Sequence, residues 1–311
     1  MPTLNVRISG LMLVSHLTAY GLGATLEASG EQAFVGHDPD SLELEPRVET
    51  AAAPDRVLEC VRRTAMDCQR VVEADLAPGR PAIWARFTDS ERAQNALQLR
   101  EALLDEVETS GQTISVRLLA GLGAPAAWLA KAKPSQGASQ LDGVAGNSTS
   151  DFVRGVLRRT LPTALDATAD ELRALYASEP PIPNDEAEDK TGWSPPGVRV
   201  HPLHQWLAAV GLTQLPVGLS ASGRSHTPCC WRNGQRRGVR LPIPDAPVSM
   251  PRLRAVLMLP ELAGPEVTAR DGARLRALGV AEVLNFQVID QADNPNMVAF
   301  RFGRAERVEL R

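Results

Sequence analysis

The sequence is poor in the side chains that carry most enzyme chemistry, with five histidines, four cysteines and an aromatic content of 4%. Long apolar runs are also missing, because the longest candidate, Leu11–Leu26, is interrupted by Ser15, His16 and glycines. The first ten residues lack the basic start and apolar stretch of a secretory signal. Four cysteines in 311 residues do not predict a disulfide framework. We therefore expect a cytoplasmic protein without membrane contact.

Complete catalytic motifs are also absent from the sequence. It contains no Gly-x-Ser-x-Gly turn around a nucleophile, no Gly-Lys-Ser/Thr phosphate loop and no His-Glu-x-x-His zinc motif. His37-Asp38-Pro39-Asp40 has the histidine–aspartate pair of metal phosphohydrolases, but the partner histidines are lacking, so a turn around Pro39 is the expected structure. An acid–base site built from carboxylates stays open. From these motifs we expect neither enzymatic activity nor a bound cofactor.

Charge is distributed unevenly along the chain. Residues 1–194 carry 18 basic and 28 acidic side chains, whereas residues 195–311 carry 15 basic and nine acidic ones. All 15 basic residues of the second part are arginines, whose planar guanidinium groups suit phosphates and base edges. A genome that favours arginine codons also explains the preference for arginine over lysine. It explains less well why the first part of the chain is acidic and the second part basic.

The apolar patterns predict an α+β protein with an N-terminal sheet and packed helices. In the helix over about Asp55–Ala74, Cys68 lies on the apolar stripe and Cys60 falls off it. Thr168 and Glu171 form a capping box for a later helix. The predicted strands of the first 120 residues are Thr3–Ser9, 32–36, 42–50, Pro81–Thr88 and Thr113–Leu119, and the other predicted helices there are Ser15–Ser29 and Ser90–Thr109.

Two segments interrupt these patterns. Residues 134–150 are small and polar and predict a long loop. Residues 177–197 are acidic and proline-rich and predict a linker. The expected organisation is therefore an α+β domain over 1–176, a linker over 177–197 and a smaller, basic α+β domain over 198–311. The predicted elements of this last domain are helices at His201–Val210, from Ser249 and at Glu266–Leu278, and strands at Val280–Ile289, Met297–Phe302 and Arg307–Leu310.

The most charged local feature is the segment Ser222–Arg240, which contains no acidic residue. It combines arginines with an indole, a histidine and glycines, which is typical of a loop that contacts phosphates and stacks on a base. The alternative is a solvated arginine-rich hairpin with Trp231 in the core. The candidate nucleic-acid-binding residues are Arg224, His226, Trp231, Arg232, Arg236, Arg237 and Arg240.

A zinc site is a second hypothesis for the same region. His201 and His204 lie upstream of His226, Cys229 and Cys230, and these residue types suit zinc. Their spacing fits no standard zinc finger, because adjacent cysteines rarely both reach one tetrahedral ion. Zinc is therefore not excluded, but no metal is predicted.

A dinucleotide-type cofactor site is a third hypothesis. The predicted strand Thr113–Leu119 precedes Gly121-x-Gly123-x-x-Ala126, which is close to the Rossmann fingerprint. The acidic residue expected at the end of a second strand is missing, since Asp142 falls in the polar loop. Pro125 is equally well explained as the first residue of a helix.

Several short motifs, in this order, resemble those of accessory subunits of type I CRISPR effector complexes, in particular the large-subunit-like proteins of type I-G (formerly I-U) systems. The motifs touch most of the chain. They are 17–22 (LTAYGL), 123–128 (GAPAAW), 137–139 (GAS), 151–154 (DFVR), 206–212 (WLAAVGL), 215–217 (LPV) and 224–228 (RSHTP).

The resemblance implies a non-catalytic subunit of an RNA-guided interference complex in antiviral defence. In such complexes base pairing reads the sequence, and the protein contacts backbone and shape. The implied partners are guide RNA, target DNA or both, together with other effector-complex subunits. The sequence leaves two alternatives open, namely an enzyme with a dinucleotide-type cofactor at Gly121–Ala126 and a protein–protein scaffold subunit.

Overall fold

Helices and strands follow each other irregularly in the computed structural model, which describes residues 3–38, 40–73, 90–111, 113–122, 139, 141, 153–176, 187–189, 191–219, 225–291 and 299–310. The helices are α1 (Leu13–Ala28), α2 (Pro54–Glu73), α3 (Ser90–Ser110), α4 (Ile114–Leu122), α5 (Arg158–Leu165), α6 (Ala169–Tyr176), α7 (Pro202–Gly211), α8 (Met250–Leu257), α9 (Pro260–Ala263) and α10 (Ala269–Ala277). A π-helical turn, Val153–Leu157, precedes α5, and a 3₁₀ turn, Leu212–Gln214, follows α7. The predicted α+β class is confirmed.

Antiparallel pairing joins the strands into two main sheets. The strands are β1 (Thr3–Asn5), β2 (Ala33–His37), β3 (Pro46–Thr50), β4 (Ala187–Glu188), β5 (Arg199–Val200), β6 (Gly218–Leu219), β7 (Ser225–His226), β8 (Cys230–Asn233), β9 (Arg236–Pro244), β10 (Val248–Ser249), β11 (Val280–Gln291), β12 (Ala299–Phe302) and β13 (Glu306–Val308). The first sheet has the order β1-β3-β2-β10, and the second has the order β12-β11-β9-β8 with β13 also paired to β11. Two short pairs, β4–β5 and β6–β7, lie apart from them.

Helix α1 lies at the centre of the molecule, and every residue from Leu13 to Leu26 is buried. Because the sequence of α1 places apolar residues on every face, the helix is expected to be buried on all sides. Its backbone touches that of α7, because a Cβ on Gly21 would lie 1.7 Å from the Leu207 carbonyl oxygen. A Cβ on Gly211 would likewise lie 2.2 Å from the Leu17 carbonyl oxygen. The two glycines therefore permit an unusually close helix pair.

The predicted linker over 177–197 does not separate two cores. Trp193 within it is fully buried, and its indole N–H donates to the Leu141 carbonyl at 2.8 Å. Helix α1 from the first half packs against α7 from the second, and β10 completes the first sheet by pairing with β2. The acidic and proline-rich composition predicts a solvated linker here, but Asp189, Thr191, Trp193 and Ser194 are fully buried.

The predicted strand Thr113–Leu119 is wrong, since Ile114–Leu122 forms helix α4. This helix packs against α2 and the 3₁₀ turn, and Leu118 and Leu119 are fully buried there. A short apolar run fits a buried strand and a buried helix equally well, so tertiary packing decides between them. The predicted strand Pro81–Thr88 and the loop 134–150, apart from Ser139 and Leu141, lie outside the described residues.

Candidate nucleic-acid interface

Strands β8 and β9 form a hairpin that carries most of the predicted site. Asn233 pairs with Arg236, so the loop between them has two residues, Gly234 and Gln235. Gly234 has φ +59°, and glycine at the first loop position is typical of a type II′ turn. Such a turn follows the natural twist of the two strands, so the sequence Asn-Gly-Gln-Arg closes the hairpin tightly.

Residues 232–237, the hairpin tip, are all exposed to solvent. The tip contains Arg232, Arg236 and Arg237 and no acidic residue. Cross-strand pairing places Arg232 directly opposite Arg237. The Nε–H of Arg232 donates to the Gly234 carbonyl at 3.3 Å, which orients its guanidinium group along the turn. Three accessible cations on a short hairpin form a surface suited to phosphate groups.

The structure corrects the prediction that Trp231 stacks on a base. The side chain is only 7% exposed, and its six-membered ring lies against Gly238 of the neighbouring strand. A Cβ at Gly238 would come within 2.9 Å of the indole, so glycine provides the space for it. The guanidinium carbon of Arg240 lies 4.9 Å from the ring centroid in a cation–π contact. Trp231 is therefore a core residue of the hairpin.

The prediction that Arg240 contacts phosphate is corrected as well. Arg240 is 5% exposed, and its Nη1–H donates to the Gly264 carbonyl at 2.5 Å. Its Nη2–H donates to the Pro265 carbonyl at 2.9 Å. Burial lowers the pKa of the guanidinium group, and the charge of Glu266 opposes this shift. Arg240 thus ties the sheet to the carbonyls that follow α9.

The two remaining candidates lie before the hairpin. Arg224 falls outside the described residues. His226 is exposed on β7, where it pairs with Gly218 of β6. The structure therefore leaves His226, Arg232, Arg236 and Arg237 as the described members of the predicted set that can reach a ligand.

The residues of the zinc hypothesis do not meet at one point. His201 caps α7, with its Nδ1 accepting from the Leu203 N–H at 3.2 Å. Cys229 is buried and its thiol donates to the Leu257 carbonyl at 3.0 Å. Burial raises the pKa of both the Cys229 and Cys230 thiols, which disfavours the thiolate that binds zinc. Within the described ranges no group of three or more potential metal ligands is present.

The dinucleotide hypothesis loses its structural basis. The fingerprint requires a strand before the glycine-rich turn, but helix α4 occupies that position and ends at Leu122. Gly121 lies inside this helix, and a Cβ there would come 2.4 Å from the Leu212 carbonyl oxygen. Gly121 is therefore explained by close packing against the 3₁₀ turn and not by a cofactor.

A histidine pair at the first sheet, in which His16 is fully buried and His37 is half-buried, has no signal in the sequence patterns. The His16 Nε2 lies 2.6 Å from the Gly10 carbonyl oxygen, and its Nδ1 lies 3.3 Å from the His37 Nε2. Burial lowers the pKa of His16 to about 4, although the bond to Gly10 opposes the shift. Burial, followed by the charges of His16 and Arg47, lowers the pKa of His37. The pair is neutral and holds α1 against β2.

Asp38 and Asp40, the other half of the phosphohydrolase-like motif, belong to the connection after β2. The Asp40 N–H donates to the Asp38 carboxylate at 3.0 Å, which is the hydrogen bond of a local turn. The two aspartates are therefore explained by the turn that reverses the chain after β2.

Across the described portion, no helix combines the length and apolar character that crossing a membrane requires.

Comparison of the chain with protein-family models, curated proteins and solved structures found no match. The functional assignment therefore depends on the accessible cations of the hairpin tip and on the resemblance carried by the sequence motifs.

Proposed function

We propose that this protein is a non-catalytic, nucleic-acid-binding subunit of a cytoplasmic, RNA-guided CRISPR interference complex. Its partners are guide RNA, target DNA or both, and the other subunits of the complex. The order of short sequence motifs supports the family, and the hairpin tip supports the nucleic-acid contact. The observation that carries the proposal is the tip itself, where six consecutive exposed residues include three arginines and no carboxylate.

The proposed contact is electrostatic. With Trp231 in the core, none of the six tip residues is aromatic, so the tip offers hydrogen-bond donors and positive charge but no stacking surface. Guanidinium groups pair with phosphates through two parallel hydrogen bonds, and Asn233 and Gln235 add neutral polar groups between them. We therefore expect backbone contact with weak sequence preference, which suits a subunit whose complex reads sequence by base pairing.

The salt dependence of binding tests this proposal. The affinity of the purified chain for a labelled DNA duplex and a labelled single-stranded RNA is measured over a range of salt concentrations. Replacing Arg232, Arg236 and Arg237 together with glutamine should weaken binding and reduce the slope of log K against log salt by roughly two to three.

The matched control removes the same charge from elsewhere on the surface. Arg252, Arg270 and Arg276 are exposed outside the hairpin, so their joint replacement by glutamine changes the net charge equally. We expect this control to retain most of the salt slope. A hairpin variant that binds like the wild type, or a control that loses as much, would remove the tip from the interface.

A protein–protein scaffold is the second candidate, and one side chain favours it. Leu42 is 92% exposed in the turn between β2 and β3. This turn is fixed by the Leu44 N–H donating to the Ser41 carbonyl at 3.1 Å and by Arg307 donating to the Leu42 carbonyl at 2.9 Å. Burying this leucine side chain in an apolar pocket of a partner would contribute about 1.5–3 kcal/mol of binding free energy. Partner binding that resists salt and is lost on Leu42→Ser would favour this function.

A further inference from the structure

One face of the hairpin tip carries two polar side chains that lie directly opposite each other. Asn233 of β8 pairs with Arg236 of β9, and the loop Gly234–Gln235 joins them. Directly opposite residues in an antiparallel ladder point to the same face, with Cα atoms about 5 Å apart. Arg232 precedes Asn233 by one position and therefore lies on the other face. The register thus places one amide and one guanidinium group side by side.

Both of these side chains can reach a ligand. They are exposed to solvent, and in the described ranges neither forms a side-chain hydrogen bond or an ion pair. Arg232, in contrast, donates its Nε–H to the Gly234 carbonyl at 3.3 Å. The tight turn at Gly234 holds the backbone of Asn233 and Arg236 in place. Binding therefore has to order only the two side chains.

The next rung of the ladder closes one side of this position. Trp231 pairs with Gly238 on the same face as Asn233 and Arg236, and its indole covers Gly238. Because the indole is 7% exposed, its body forms an apolar wall beside the polar pair. A hydrogen bond to a charged group is stronger where the surroundings are less polar than water.

We propose that Asn233 and Arg236 together hold one phosphate group of a nucleic-acid backbone, the guanidinium group supplying charge and the amide N–H supplying a neutral hydrogen bond. This inference rests on the proposed function, because the phosphate is taken to belong to the bound nucleic acid. The amide carries no charge, so it adds affinity without neutralising a phosphate. Asn233 is therefore a binding residue that the arginine content of the tip does not indicate.

A double-mutant cycle measured over a range of salt concentrations tests the pair. Asn233→Ala, Arg236→Gln and their double variant are compared with the wild type on the labelled DNA duplex. Asn233→Ala should weaken binding about fivefold at every salt concentration and leave the slope of log K against log salt unchanged. Arg236→Gln should lower this slope by about 0.9. In the Arg236→Gln background, Asn233→Ala should weaken binding by less than about twofold, because the phosphate is no longer held beside the amide.

Gln235→Ala is the matched control, since Gln235 is a neutral, exposed amide of the same tip that has no partner in the ladder. Its effect should be the same in the wild-type and Arg236→Gln backgrounds. An equal loss from Asn233→Ala in both backgrounds, or no loss in either, would overturn the shared site. The proposed function would then still stand if the triple arginine variant lowers the salt slope.

A wild-type chain that binds neither duplex DNA nor single-stranded RNA would overturn both the shared site and the proposed function. Unchanged urea midpoints of the variants establish that the hairpin remains folded.

Discussion

Acidification should destabilise this protein strongly, and the buried histidines set the magnitude. Burial lowers the pKa of His16 from 6.5 to about 4. Burial, with a smaller contribution from the charge of His201, lowers the pKa of His204 to about 3. Because both groups bind protons more weakly in the folded state than in the unfolded chain, stability falls as the pH drops below 6.5 and continues to fall towards the folded pKa values.

The size of the effect follows from these values. Between about pH 7 and pH 5, a histidine with so low a folded pKa loses about 2 kcal/mol of folding free energy. His16 and His204 together therefore remove about 4 kcal/mol, a large part of the roughly 5–15 kcal/mol that typical domains possess. The pKa of His37 is lowered as well, so its contribution has the same sign.

Urea unfolding at the two pH values measures this loss, and His204→Gln isolates one contribution. The His204 ring packs edge-on against Tyr176, with ring centroids 5.3 Å apart, and its buried Nε2 has no hydrogen-bond partner among the described residues. Glutamine has a similar volume and does not titrate, so the variant should lose about 2 kcal/mol less than the wild type on acidification. His226→Gln, at an exposed position, is the control. Equal losses in the wild type and His204→Gln would refute the reasoning.

Two further perturbations test the packing. Gly21→Ala should lower the free energy of unfolding by about 3 kcal/mol, because the added Cβ would meet the Leu207 carbonyl. The control is Gly155→Ala, which should be neutral or slightly stabilising because the space around Gly155 is open. Arg240→Met should lower the free energy of unfolding by about 3 kcal/mol, measured by urea unfolding, since it leaves the carbonyls of Gly264 and Pro265 without their donor. The control is Arg236→Met at an exposed position, which should change the free energy of unfolding by less than about 0.5 kcal/mol. Equal unfolding free energies within either pair of variants would contradict the packing described.

Local patterns predicted the parts of the fold that depend on neighbouring residues. The amphipathic helix over about 55–74 is found as α2. The capping box is present at α6, where the Thr168 N–H donates to Glu171 at 2.7 Å and the Glu171 N–H donates to Thr168 at 3.2 Å. Cys60 shows the limit of this reasoning, because it falls off the predicted stripe and is nonetheless fully buried. The buried surface of α2 is wider than a single stripe.

Features that depend on distant residues could not be predicted in this way. The burial of Trp231 follows from the register that places Gly238 opposite it, and the turn at Gly234 fixes that register. Arg240 reaches the Gly264 carbonyl, which lies 24 residues further along the chain, and no local pattern indicates such a contact. Trp193 was the available signal against a linker, since a tryptophan in a proline-rich stretch indicates packing.

The most direct test of the central claim is purification of the tagged protein from its native host at moderate salt, followed by sequencing of the RNA that accompanies it. The account predicts short, repeat-derived guide RNA together with other effector subunits. Clean protein without RNA, under conditions in which a known effector complex retains its guide, would contradict it.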